Sequence, residues 1–95
     1  MLFAPRAATK PMIEFLRRLG MSLEAGIDIR KALTSEALRS APQLRERIEQ
    51  MSEAVNGGTS FSTAMDDTGQ YFPLLVRELV LVGEQTGHLP EVLKQ

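Results

Sequence analysis

Apolar residues recur along this chain at helical spacing and almost nowhere in alternation. Met12, Phe15, Leu16, Leu19 and Leu23 fall on one side of a helical wheel, the mark of an amphipathic helix with one buried stripe. Thr9 is the expected N-cap, and Pro11 is tolerated in a first helical turn. The helix should stop at Ala25-Gly26, because glycine enters the left-handed conformation without a Cβ penalty. Asp28 then caps a short helix that turns Ile29, Ala32 and Leu33 inward. Ser40-Ala41-Pro42-Gln43 predicts a capping box ahead of a third helix, which carries Leu44, Ile48, Met51 and Val55 as a narrow stripe and ends at Asn56-Gly57-Gly58. Thr59 or Ser60 caps a further short helix with Phe61, Ala64 and Met65 inward, closed by Asp66-Asp67-Thr68-Gly69.

Phe72-Pro73 opens the last long helix, which differs from the others in being apolar on almost every side. Leu75, Val76, Leu79 and Val82 predict the buried face. Leu74 and Leu81 sit near the opposite side, beside Arg77, Glu78 and Gln85, and are the candidate interface residues unless a sixth helix covers them. A helix apolar all round is expected to be central. Pro90 begins that sixth helix, Glu91-Val92-Leu93, truncated at the C-terminus. No segment alternates over more than a few residues, and the fold class is read as all-α. Residues 1–9 read as a flexible lead-in and 10–95 as one domain.

Two stretches share a pattern. Gly26-Ile27-Asp28-Ile29-Arg30-Lys31-Ala32-Leu33 and Gly58-Thr59-Ser60-Phe61-Ser62-Thr63-Ala64-Met65 both run glycine, any residue, capping side chain, apolar, two polar, alanine, large apolar. Each follows a long amphipathic helix. The repeated unit is therefore long helix, glycine turn, short capped helix. Its spacing is near that of tetratricopeptide arrays, whose Trp/Tyr/Pro signature is missing.

Composition narrows the function. The chain has no cysteine, which removes disulfide frameworks and thiolate metal sites and leaves stability to core packing. No apolar run approaches the roughly 18–20 residues that span a bilayer, and Met1–Arg6 lacks the apolar region of a secretory signal. The chain as it stands is expected to be soluble. A net charge of −1 hides an asymmetry: residues 1–47 hold nine Lys/Arg against five acids, and residues 48–95 hold two against seven. Solvated helix faces account for this, and a basic first half facing lipid headgroups or an acidic partner is the alternative. Nucleic acid is not an expected ligand, because the isoelectric point is near 5.8 and no aromatics interleave with the basic residues.

No nucleophile–base pair, phosphate-cradling lysine loop or metal cluster emerges, so the sequence predicts no enzyme, no cofactor and no metal. Asp66 and Asp67 are adjacent, point apart, and read as capping or solvation. His88 reads as an exposed neutral side chain in a turn. Gly26, Gly58, Gly83 and Gly87 read as backbone-conformation positions. Glu84 has two readings: solvation or a hydrogen bond to the turn at Gly87, or an ion pair with Arg17 or Arg18 across the bundle or a contact with a partner.

Several motifs together resemble a family. Phe15-Leu16-Arg17-Arg18-Leu19, Ala25-Gly26-Ile27-Asp28-Ile29 and Ala32-Leu33 are similar to the opening of the type II secretion system F domain, also found in the type IV pilus inner-membrane platform protein. Gly58-Thr59-Ser60-Phe61 with Ala64-Met65 resembles its middle motif. Phe72-Pro73 and Gly83-Glu84-Gln85-Thr86-Gly87-His88-Leu89 with Leu93 resemble its closing block. The resemblance covers about residues 12–95. It implies a compact antiparallel bundle of six short helices at the cytoplasmic face of the bacterial inner membrane, belonging to an integral membrane protein. It further implies binding to the assembly ATPase and other platform components, self-association as a dimer, and no catalytic residues. His88 stands where some relatives carry an acid near Glu84; histidine is a poor substitute in a calcium site of six to eight oxygens, so no structural metal is expected. Two other functional classes fit the residues alone: a stand-alone helical adaptor or regulator, and a helix-turn-helix DNA-binding regulator using the basic first half.

Overall fold

The computed structural model describes residues 9–95, at Thr9 the backbone alone. Six helices follow one another: α1 Thr9–Glu24, α2 Ile29–Arg39, α3 Pro42–Asn56, α4 Phe61–Asp66, α5 Leu74–Thr86 and α6 Leu89–Leu93. There is no strand among the described residues, and the all-α class with about six short helices is what the chain adopts. The lead-in expected over residues 1–9 and the capping contact of Thr9 lie outside the described residues.

The apolar stripes read from the spacing turn inward in the first four helices. Met12, Phe15, Leu16 and Leu19 of α1, Ala32 and Leu33 of α2, Leu44, Ile48 and Met51 of α3, and Phe61, Ala64 and Met65 of α4 are all buried in one cluster, joined by Phe72, Val80 and Leu93. Each helix packs against the next in the chain, and α6 returns to α1. The six helices therefore close a ring around a shared interior, which lets elements as short as α4 and α6 persist, because isolated helices under about 12–15 residues are marginal in water.

The two echoing segments adopt matching geometry. Gly26 and Gly58 both take positive φ, 91° and 103°. Asp28 accepts from the Arg30 N–H at 2.7 Å, and Ser60 accepts from the Thr63 N–H at 3.3 Å. At Ser40 the outcome differs from the expected capping box. The N-cap of α3 is Ala41, with no side-chain cap and Pro42 in the first turn. Ser40 Oγ instead donates back to the Glu36 carbonyl at 2.8 Å, and Arg45 donates to the carbonyls of Ala37 and Ser40. These bonds satisfy the free carbonyls at the end of α2, a competing need that a four-residue motif does not reveal.

α5 departs furthest from expectation. Its buried positions are Val80 and Gly83, with Val76 half-buried, whereas Leu75, Leu79 and Val82 are exposed, Leu75 by 66% and Leu79 by 46%. The helix is also peripheral, packing principally on α4 and α6. A helix with apolar residues all round has no single stripe to set its rotation. Its polar anchors and its glycine set it instead. A Cβ at Gly83 would stand 3.1 Å from Leu89 Cα, and one at Gly20 of α1 would stand 2.9 Å from Leu93 Cβ and 3.0 Å from the Pro90 carbonyl oxygen. α6 is thus seated between two glycines on two helices, and it draws the Gly83 side of α5 inward.

Candidate functional site

At the end of α5, Glu84 reaches across to the start of α4. Its carboxylate accepts from the Ser62 backbone N–H at 3.0 Å and from the Ser62 hydroxyl. Ser62 is itself buried. An acid at a helix N-terminus meets both unpaired N–H groups and the positive end of the helix dipole, and Ser60 supplies the other cap. Neither the expected bond to the Gly87 turn nor the expected pair with Arg17 or Arg18 forms. Gly87, at φ 77°, directs its own N–H and that of His88 to the Gly83 carbonyl, so the turn closes on backbone alone.

Arg18 has a different partner. Its Nε and Nη2 both lie 2.9 Å from Glu36 Oε1, and the Glu36 side chain is only 4% exposed. Glu36 escaped the reading of the sequence, although its position three residues after Leu33 on the inward side of α2 was the available signal. Arg17 is exposed and makes no ion pair among the described residues. Arg77 is half-buried and committed within the fold: Nε donates to the Phe72 carbonyl at 3.0 Å and Nη1 to Asp66 at 3.2 Å. That contact separates Asp66 from Asp67, whose carbonyl accepts from Gln50. His88 precedes α6, exposed, with Nδ1 3.9 Å from Glu91.

What remains outward on α5 is apolar on both flanks. Leu74 and Leu81 are exposed, Leu81 by 44%, so α6 does not cover them. On the other flank, Leu79 borders a cleft of about 260 Å³ between α1, α5 and α6, lined by Ile13, Leu16, Val76, Val80 and Leu93. A larger depression of about 560 Å³ lies over α2, shallow and bounded by Asp28, Arg30, Lys31, Thr34 and Leu38. There the Arg30 guanidinium and N–H bonded to Asp28 hold its carboxyl down at about 2 from an ordinary 3.8. Among the described residues, no three His, Asp or Glu side chains stand together as a metal ion would require. The chemistry this surface offers is association through α5 and its neighbours.

Comparison with known proteins agrees with this surface. The family model described as type II secretion system (T2SS), protein F matches residues 15–95. The chain is 27% identical to the protein transport protein HofC homolog of Haemophilus influenzae, across 98% of this chain and 23% of that protein. It is also 27% identical to the type II secretion system protein F of Vibrio cholerae, across 93% of this chain and 22% of that protein. The chain spans about a quarter of the length of these curated relatives.

Proposed function

The chain belongs to the type II secretion system protein F family, and we propose that it is a non-enzymatic interaction domain on the cytoplasmic side of a bacterial inner-membrane platform protein. In this reading its partners are the assembly ATPase of a secretion or type IV pilus system, other platform components, and a second copy of itself. Its mechanism is organisational: a rigid ring of helices presents fixed faces between a cytosolic motor and a membrane assembly. No helix among the described residues is long and apolar enough to cross a membrane. The spanning part of the parent protein accordingly lies outside this stretch.

The observation that supports the reading is the outward face of α5, with Leu74 and Leu81 left exposed on a helix whose other contacts are satisfied. Contiguous exposed apolar surface marks association sites in soluble domains. Leu81→Glu tests it. The substitution places a charge where solvent already reaches, so the thermal midpoint should stay close to that of the parent chain. Binding to the ATPase of the same system, followed by titration calorimetry, or self-association, followed by sedimentation, should weaken about tenfold or more, which is about 1.4 kcal/mol. A Leu81→Glu chain that keeps both associations at full strength sinks the assignment of this face.

A further inference from the structure

On the other flank of α5 we infer that the cleft between α1, α5 and α6 receives an amphipathic helix of a partner protein, one whose edge over α1 is acidic. The inference rests on the domain being an interaction module but uses a different surface from Leu74 and Leu81. Three observations carry it. The cleft, at about 260 Å³, lies below the roughly 300–1,000 Å³ of small-molecule sites. Its lining of Ile13, Leu16, Val76, Leu79 and Leu93 includes only Gln95 as a polar side chain, so nothing there would orient a cofactor. Leu75 and Val82 are exposed beside Leu79 on α5 and prolong the apolar strip to about two helical turns, or roughly 10 Å. That length suits the i, i+3 or i+4, i+7 anchors of a helix lying in a groove.

Charge selects the occupant. On α1, Lys10 and Arg17 lie three residues before and four after Ile13, both exposed and without an ion pair among the described residues. At the far end of the cleft, Lys94 and Glu24 neutralise one another at 2.7 Å. Beyond the strip on α5 stands Glu78, also exposed and unpaired among the described residues. Glu14 follows Ile13 by one residue and projects away from the cleft. The rim is thus positive along α1 and negative along the outer edge of α5. An anionic bilayer would meet Glu78, and a second copy would offer that single carboxylate to two cations. A helix with carboxylates along one edge satisfies Lys10 and Arg17 together, and such complementarity sets partner choice and orientation.

The test uses the whole chain and two labelled synthetic helices with identical leucine anchors, one with glutamates and the other with lysines along the edge. Fluorescence anisotropy should show the acidic helix binding about tenfold or more tightly than the basic one. Arg17→Glu should reverse that preference, and Leu79→Glu and Ile13→Glu should each abolish binding while circular dichroism shows the helices intact. Leu81→Glu should leave it unchanged. Equal binding of the two helices, no binding, or indifference to Leu79→Glu overturns the inference. So does self-association or vesicle binding that Ile13→Glu removes. Failure here with Leu81→Glu still disrupting ATPase binding removes this inference alone; the converse removes only the assignment of the Leu74–Leu81 face.

Discussion

Glu84 shows how much one side chain can be worth when its partner is a helix end. The carboxylate holds the Ser62 N–H and hydroxyl, and Ser62 is buried, so losing the acid leaves two donors with little water to replace it. Glu84→Ala should lower stability by about 1–3 kcal/mol, the range for stranding buried donors, read as a lower urea midpoint with an unchanged slope. Glu84→Gln keeps an acceptor and should cost less. Asp28 makes a gentler case at the start of α2. Its carboxyl titrates at about 2, below an ordinary 3.8, because Arg30 bonds the ionised form. A depressed folded value means the contribution is fully present above pH 3.8 and lost as pH falls toward 2. Carbon-detected titration of Asp28 should find the midpoint near 2, and Asp28→Asn should remove that part of the acid dependence. A midpoint at the ordinary value would show that the Arg30 contact does not form in solution.

Among the helices, α1 and α5 respond oppositely to similar substitutions. Leu16 is buried in the cluster, and Leu16→Ala should cost about 2–5 kcal/mol, transfer and cavity together. Leu79 shares its residue type and its place on an apolar stripe, yet it is nearly half exposed. Leu79→Ala should therefore cost less than about 1 kcal/mol, as substitutions near the surface do. Equal losses in denaturant melts would mean that α5 sits rotated from the orientation described here. The helices with one clear stripe were legible from spacing because a single buried face fixes rotation. α5 was not, since Leu75, Val76, Leu79 and Val82 compete with Val80 and Gly83, and the winning side is chosen by contacts with Ser62 and α6 that come from elsewhere in the chain.

Ring closure is a property of the whole molecule, and it runs through Gly20. In an isolated helix, Gly20→Ala would gain about 1 kcal/mol of propensity. Here the added Cβ would meet Leu93 Cβ at 2.9 Å and the Pro90 carbonyl at 3.0 Å, and α6 would have to shift. Overpacking of this kind typically costs about 1–3 kcal/mol, so the net effect should be a lower thermal midpoint; a higher one would show α6 loosely seated. The same arrangement explains why the surface divides as it does. Docking α6 on Gly20 and Gly83 turns the apolar remainder of α5 outward, leaving Leu74 and Leu81 on one flank and the cleft beside Ile13 on the other.

By itself, the sequence determined the helical class, the order and approximate ends of six elements, the glycine turns at Gly26, Gly58 and Gly87, and the inward stripes of the first four helices. All of these follow from local rules: capping chemistry, the freedom of glycine, and a repeat of 3.6 residues. The tertiary structure decided which way α5 faces, that Glu84 caps α4, that Arg18 pairs with the buried Glu36, and that Gly20 makes room for α6. Each of those depends on groups distant in the chain meeting at short range, and neither spacing nor composition records which distant group arrives.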